Sequence, residues 1–227
     1  MSDLSQIDIE LSNRFYLHLS AINSDVTPKK SQILWQDIAV RYDERQRAYH
    51  NAQHIQQLFS QFEQVKHQLS EPHIIALAIY YHDVIYEPTR SDNELKSAEF
   101  AVEILEPYLN AEQCQYIYAL IMMTASHQLN NEMGSDKNSD AAYLLDMDLS
   151  VLGMPYSEYE QYAKAVREEY VHVTDKDYQK GRTHVLNQLL AHPTLYMTNY
   201  YRSRLEAQAR DNIKREINSL LCSQLNK

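Results

Sequence analysis

Three glycines in 227 residues exclude several functions at once. The dinucleotide fingerprint GxGxxG, the P-loop and the GxSxG nucleophile elbow all need glycine where the backbone turns tightly or approaches a ligand closely, and none of them occurs. Cysteine is scarce too. Cys114 and Cys222 make no CxxC pair and no disulfide framework, which fits a reducing compartment and two packing residues. Positive charge is in deficit, with 21 Lys and Arg against 31 Asp and Glu, a formal net charge of −10. A partner such as a long nucleic acid, whose affinity rests on clustered basic residues, is therefore not expected. A small anionic substrate would need a local cationic site. With ten histidines beside those acids, a metal ion is the natural source of that charge. No apolar run approaches the ~20 residues that span a bilayer. The N-terminal stretch MSDLSQIDIELSNRF has neither the basic start nor the apolar middle of a signal peptide, so a cytoplasmic location and no membrane partner are expected.

What is present is rich in Leu, Gln, Ala and Glu at helical spacing, without runs of alternating β-branched residues. This predicts an all-α protein of roughly nine or ten helices. At 44% hydrophobic residues the length suits one domain over 1–227, its core spanning about 35–220. In PKKSQILWQDIAVRY, Ile33, Trp35, Ile38 and Val40 are available for the core. SEPHIIALAIYYHD opens with Ser70 as an expected N-cap and Pro72 in the first turn. Its Ile74, Ile75, Leu77, Ala78, Ile79 and Tyr81 leave almost no polar face, which predicts a helix buried on most sides. Capping boxes are expected at Ser91 with Glu94 and at Ser157 with Glu160. LNNEMGSDKNSDAA, around Gly134, reads as a polar loop or linker. The eighteen tyrosines are expected mainly in core and cleft walls.

The candidate chemistry begins in RAYHNAQHIQQL, where a helix starting near Asn51 would hold His54 rigidly and leave His50 before it. His82 and Asp83 end the apolar helix, where an uncompensated charge is costly and coordination to a cation removes that cost. Asp146 and Asp148 follow among Leu144, Leu145, Leu149, Val151 and Leu152, so at least one of them is expected to face the interior. His54, His82, Asp83 and one of Asp146 or Asp148 would supply two nitrogens and two carboxylates without sulfur. Such a set suits one divalent ion of Mn, Fe, Ni, Co or Mg better than structural zinc.

The order His, His-Asp, distant Asp over a set of helices resembles the HD superfamily of metal-dependent phosphohydrolases. YHNAQHI, YYHDVIYEPTRSDNELKSA, LLDMDLSVLG, VREEY and GRTHVLNQLL are similar to a bacterial branch described as predicted HD-domain phosphohydrolases, from about Trp35 to near the C-terminus. The resemblance implies an HD-like helical bundle with His54, His82, Asp83 and Asp148 as metal ligands. Asp146 then either supports Asp148 or substitutes for it. The implied activity is hydrolysis of a small phosphorylated substrate, with a nucleotide as the expected class. Within it, Asp83 and Glu94 are candidates for positioning or deprotonating water, although Glu94 is equally accounted for as a capping residue. Glu87 lies near the spacing of a glutamate that many HD nucleotidases carry. His127 is a candidate for the leaving group, and Arg167, Lys180 and Arg182 for binding phosphate. Two alternatives use the same scaffold. One is a di-iron oxygenase recruiting His50 and His127. The other is a regulatory module that binds metal or nucleotide without turnover.

Overall fold

The computed structural model describes residues 3–129 and 133–225, with side chains over 6–129 and 133–222. The described residues form ten α-helices and no strand. In chain order these are α1 (Asp3–Ile22), α2 (Pro28–Tyr42), α3 (Ala52–Val65), α4 (Pro72–Tyr81), α5 (Asn93–Leu105), α6 (Ala111–Thr124), α7 (Ser135–Asp148), α8 (Tyr156–Glu169), α9 (Asp175–Ala191) and α10 (Asn199–Leu225). Two 3₁₀ turns, Lys66–Gln68 and Leu149–Gly153, follow α3 and α7. None of the described helices is long and apolar enough to cross a membrane. The chain divides into two compact units, residues 1–147 and 148–227.

In the first unit α4 is enclosed as its sequence requires: every residue from Ile74 to Tyr81 is at most 1% exposed. Helix α1 packs on α2, α3 and α4, and α6 packs on α4 and α5. Leu11, Phe15 and Leu19 of α1 and Phe59 and Phe62 of α3 are all buried, with Phe15 edge-on to Tyr80 at 5.1 Å and Phe59 4.7 Å from the same ring. Each such apolar side chain contributes about 1.5–3 kcal/mol. Trp35 and Ile38 of α2 are buried as expected, whereas Ile33 and Val40 are 59% and 72% exposed. One helix face cannot present all four residues to the same neighbour.

Several helix starts differ from the expected caps. Pro72 occupies the first position of α4, but Glu71 is the N-cap. The carboxylate of Asp140 on α7 accepts from the backbone N–H groups of Ser70 at 2.9 Å and Glu71 at 2.8 Å. Helices α5 and α8 begin after Asp92 and Pro155, so neither Ser91 nor Ser157 caps them. Helix α7 begins at Ser135, inside the stretch expected to be a loop, while residues 130–132 of that stretch lie outside the described residues. Cys114 is buried as expected, but Cys222 is exposed.

A buried histidine, His18, is expected to give this unit a pH dependence. His18, 5% exposed on α1, has its Nδ1 3.0 Å from Nδ1 of His73, against the rings of Phe59 and Phe62. Burial, with His73 acting in the same direction, lowers its pKa from 6.5 to about 4. Arg14 and Lys66 also oppose its charging, and Glu63 favours it. The ring stays neutral in the fold while the unfolded chain takes up a proton below pH 6.5, so stability is lost as pH falls from 6.5 towards 4. The expected contribution is about 3 kcal/mol. Urea denaturation should show wild type losing that much more than His18→Gln across this window. Parallel curves would contradict the assignment.

In the second unit the 3₁₀ turn Leu149–Gly153 lies against α10, and α9 packs on the same helix. Asn212 of α10, fully buried, donates from Nδ2 to the carbonyls of Leu152 and Met154, each at 2.8 Å. The Tyr196 hydroxyl donates to the carbonyl of Leu149 at 3.1 Å. A Cβ on Gly153 would stand 2.5 Å from Cβ of Leu205, so this close approach requires glycine. The backbone that follows Asp148 is thereby fixed.

Candidate metal centre

Three helix ends carry the candidate ligands. Asn51 is the N-cap of α3, its side chain accepting from the N–H of Gln53, which places His54 in the first turn as expected. His54 is 3% exposed, with the ring of Tyr49 centred 4.8 Å away. His82 is the residue at which α4 ends, its N–H still bonded to the carbonyl of Ala78 at 2.9 Å, and it is 2% exposed. Asp148 is the last residue of α7, whose other residues belong to the first unit.

His54, His82 and Asp148 each offer a ligand atom, and these atoms all lie within 4.8 Å of one another. The two Nε2 atoms are 3.2 Å apart. Oδ2 of Asp83, whose side chain is 14% exposed, stands 3.0 Å from Nε2 of His82 and 3.8 Å from Nε2 of His54. Two ligand atoms about 2.1 Å from one ion and 90–110° apart at it are roughly 3.0–3.4 Å from each other. The His54–His82 and His82–Asp83 separations fall in that range.

Ring orientation is set as well. Nδ1 of His82 lies 2.9 Å from the carbonyl of Ile79, which can only accept, so Nδ1 carries the hydrogen. In the neutral ring Nε2 then presents its lone pair towards His54 and Asp83. The donor set therefore fits a divalent cation: two imidazole nitrogens, with carboxylates to offset the charge. Asp146, 1% exposed on α7, is the interior-facing member of the Asp146/Asp148 pair.

The turn after Asp83 is tied down in two ways. The Ser97 hydroxyl, fully buried on α5, donates to the carbonyl of Ile85 at 3.1 Å and accepts from its N–H at 3.0 Å. The second tie is Arg47, which the sequence reading overlooked. Its side chain is 1% exposed. Nη1 donates to the carbonyls of Asp83 at 2.6 Å and His50 at 3.2 Å, Nη2 to the carbonyl of Val84 at 3.0 Å, and Nε to Glu44 at 3.1 Å. The only available signal was an arginine among polar residues in DERQRAYHN, which reads equally well as a solvated face.

The remaining candidates occupy varied surroundings. Glu94 is half-buried in the first turn of α5. The Glu87 carboxylate accepts from the Thr89 hydroxyl at 3.2 Å. His50 stacks on Tyr86 at 4.2 Å. His127 has φ 50° and bonds through its N–H to the carbonyl of Met123 at 2.8 Å, a left-handed residue that closes the end of α6. In the second unit, Arg167 donates to the carbonyls of Tyr170 and Val173 and to Asp175 at 2.6, 3.1 and 2.9 Å. Arg182 makes a two-pronged contact with Glu216 at 2.8 and 3.1 Å, and Lys180 is exposed on α9. Compared with known proteins, the chain matches no family model and no curated sequence.

Proposed function

We propose that the protein is a metal-dependent phosphohydrolase of HD type, acting on a small phosphorylated substrate with a nucleotide as the expected class. The observation that carries this reading is the convergence of His54, His82 and Asp148, with Asp83 beside both imidazoles, on one point. A divalent cation held there would polarise a phosphoryl oxygen and bring the pKa of a bound water towards neutrality. Two histidines and two carboxylates leave such a centre without net positive excess, so the protein residues hold the ion without blocking release of an anionic product. Asp83, the more exposed neighbour of His82, and Glu94 are the residues proposed to orient the attacking water. His127 is proposed to protonate the leaving oxygen.

The test is phosphate release from a panel of nucleotides and phosphorylated metabolites, using protein loaded in turn with Mn²⁺, Fe²⁺, Co²⁺, Ni²⁺ or Mg²⁺. Turnover of at least one phosphate ester or anhydride, lost in His82→Ala, is expected. Loaded protein that binds these compounds and releases no phosphate from any would overturn the hydrolase reading and leave a binding module in its place.

A further inference from the structure

We propose that Arg47 is a positioning residue for the metal centre: its buried guanidinium holds the His82–Asp83 turn and the approach to His54 in one register. The inference rests on the metal reading above and concerns a residue outside the ligand set.

The argument starts from backbone groups that need partners. Val84 is fully buried and Asp83 half-buried, and both lie just past the end of α4, where no helical N–H is available to their carbonyls. Nη1 and Nη2 of Arg47 meet these two consecutive carbonyls and so set the direction in which Asp83 projects. Nη1 also reaches the carbonyl of His50, the residue preceding the N-cap of the helix that carries His54. One planar group thus joins two ligand-bearing segments whose histidines, His54 and His82, are 28 residues apart in sequence. Glu44 anchors Nε, while the rings of Tyr42 and Tyr86 lie 5.1 and 5.5 Å from the guanidinium carbon. Tyr86 in turn stacks on His50.

Lysine cannot replace this arrangement. Its ammonium is a single point with three donors, whereas the contacts here reach four acceptors from three separate nitrogens of a rigid plane. If charge alone mattered, lysine would suffice. If the fork matters, lysine and methionine should both leave the turn loose. Partners that orient metal ligands from behind typically contribute 10–100-fold in metal affinity.

The experiment compares wild type, Arg47→Lys, Arg47→Met and Glu44→Gln. Co²⁺ affinity is measured by calorimetry and the visible Co²⁺ spectrum is recorded, on protein checked as folded by circular dichroism. The two Arg47 variants are expected to bind Co²⁺ about 10–100-fold more weakly with an altered spectrum. Glu44→Gln changes a side chain that is 39% exposed and so spares the fold. It loosens only the Nε anchor and is expected to weaken binding by about threefold. Should neither Arg47 variant fold, the Glu44→Gln affinity decides. Wild-type affinity and spectrum in every variant that folds would overturn the role of Arg47, and so would full rescue by lysine. A wild-type protein that binds no Co²⁺ would instead overturn the metal reading and this inference with it.

Discussion

Asp148→Asn is expected to abolish tight metal binding, whereas Asp146→Asn should retain the ion. Two residues apart on α7, their side chains point roughly 200° from one another, so one ion cannot readily take both. The carboxylate of Asp148 is the one gathered with His54 and His82, and Asp146 is directed into the interior. An amide keeps the shape of the side chain but loses the anionic oxygen that offsets a dication. Metal analysis after dialysis should find Asp148→Asn empty and Asp146→Asn loaded, the latter weakened by about 10–100-fold at most. The reverse pattern would move the ligand to Asp146. Retention of metal in both would remove the end of α7 from the centre.

The second large effect lies in the second unit. Removing Glu216 should destabilise that unit by about 3–5 kcal/mol, because the Arg182 guanidinium would be left buried without its carboxylate. Both side chains are 10% exposed and share two hydrogen bonds, and the Tyr159 hydroxyl donates to the same carboxylate. Glu216→Leu tests the loss in urea denaturation followed by circular dichroism. The double variant Glu216→Leu/Arg182→Met should recover most of the stability, since the penalty belongs to the orphaned charge and not to the missing pair. Equal destabilisation in the single and double variants would show that packing, not charge, sets the effect.

The Arg182–Glu216 cluster also marks where the sequence stops being legible. The all-α class followed from helical spacing and the lack of alternating β-branched runs, and the burial of α4 from its lack of a polar face. His54 was placed correctly because Asn51 is a strong local cap. The capping boxes at Ser91 and Ser157 failed for a local reason: Asp92 stands between Ser91 and α5 and takes the cap position, while α8 starts earlier than expected, after Pro155, and already contains Ser157. Helix α7 was missed at its start because SDKNSD is poor in helix formers. Tertiary contacts override that propensity: Asp140 is bonded by Ser70 and Glu71, and the carbonyl of Lys137 accepts from the Tyr116 hydroxyl at 3.0 Å. Of the proposed centre, the histidines and aspartates could be picked out by type and order. Arg47 could not, since its partners are backbone carbonyls that leave no pattern in the sequence. Arg182 shows the converse: a residue type that suits phosphate is committed in the fold to a buried glutamate.

The most direct test of the account is a titration with diamagnetic Zn²⁺ followed by nitrogen-15 resonances of the histidine rings. One equivalent per chain should saturate the protein and move Nε2 of His54 and His82, while Nδ1 of His82 stays protonated against the carbonyl of Ile79. Both shifts should disappear in His54→Ala and His82→Ala. Saturation that moves other histidines, or no saturable binding at all, would contradict the metal centre described for these helix ends.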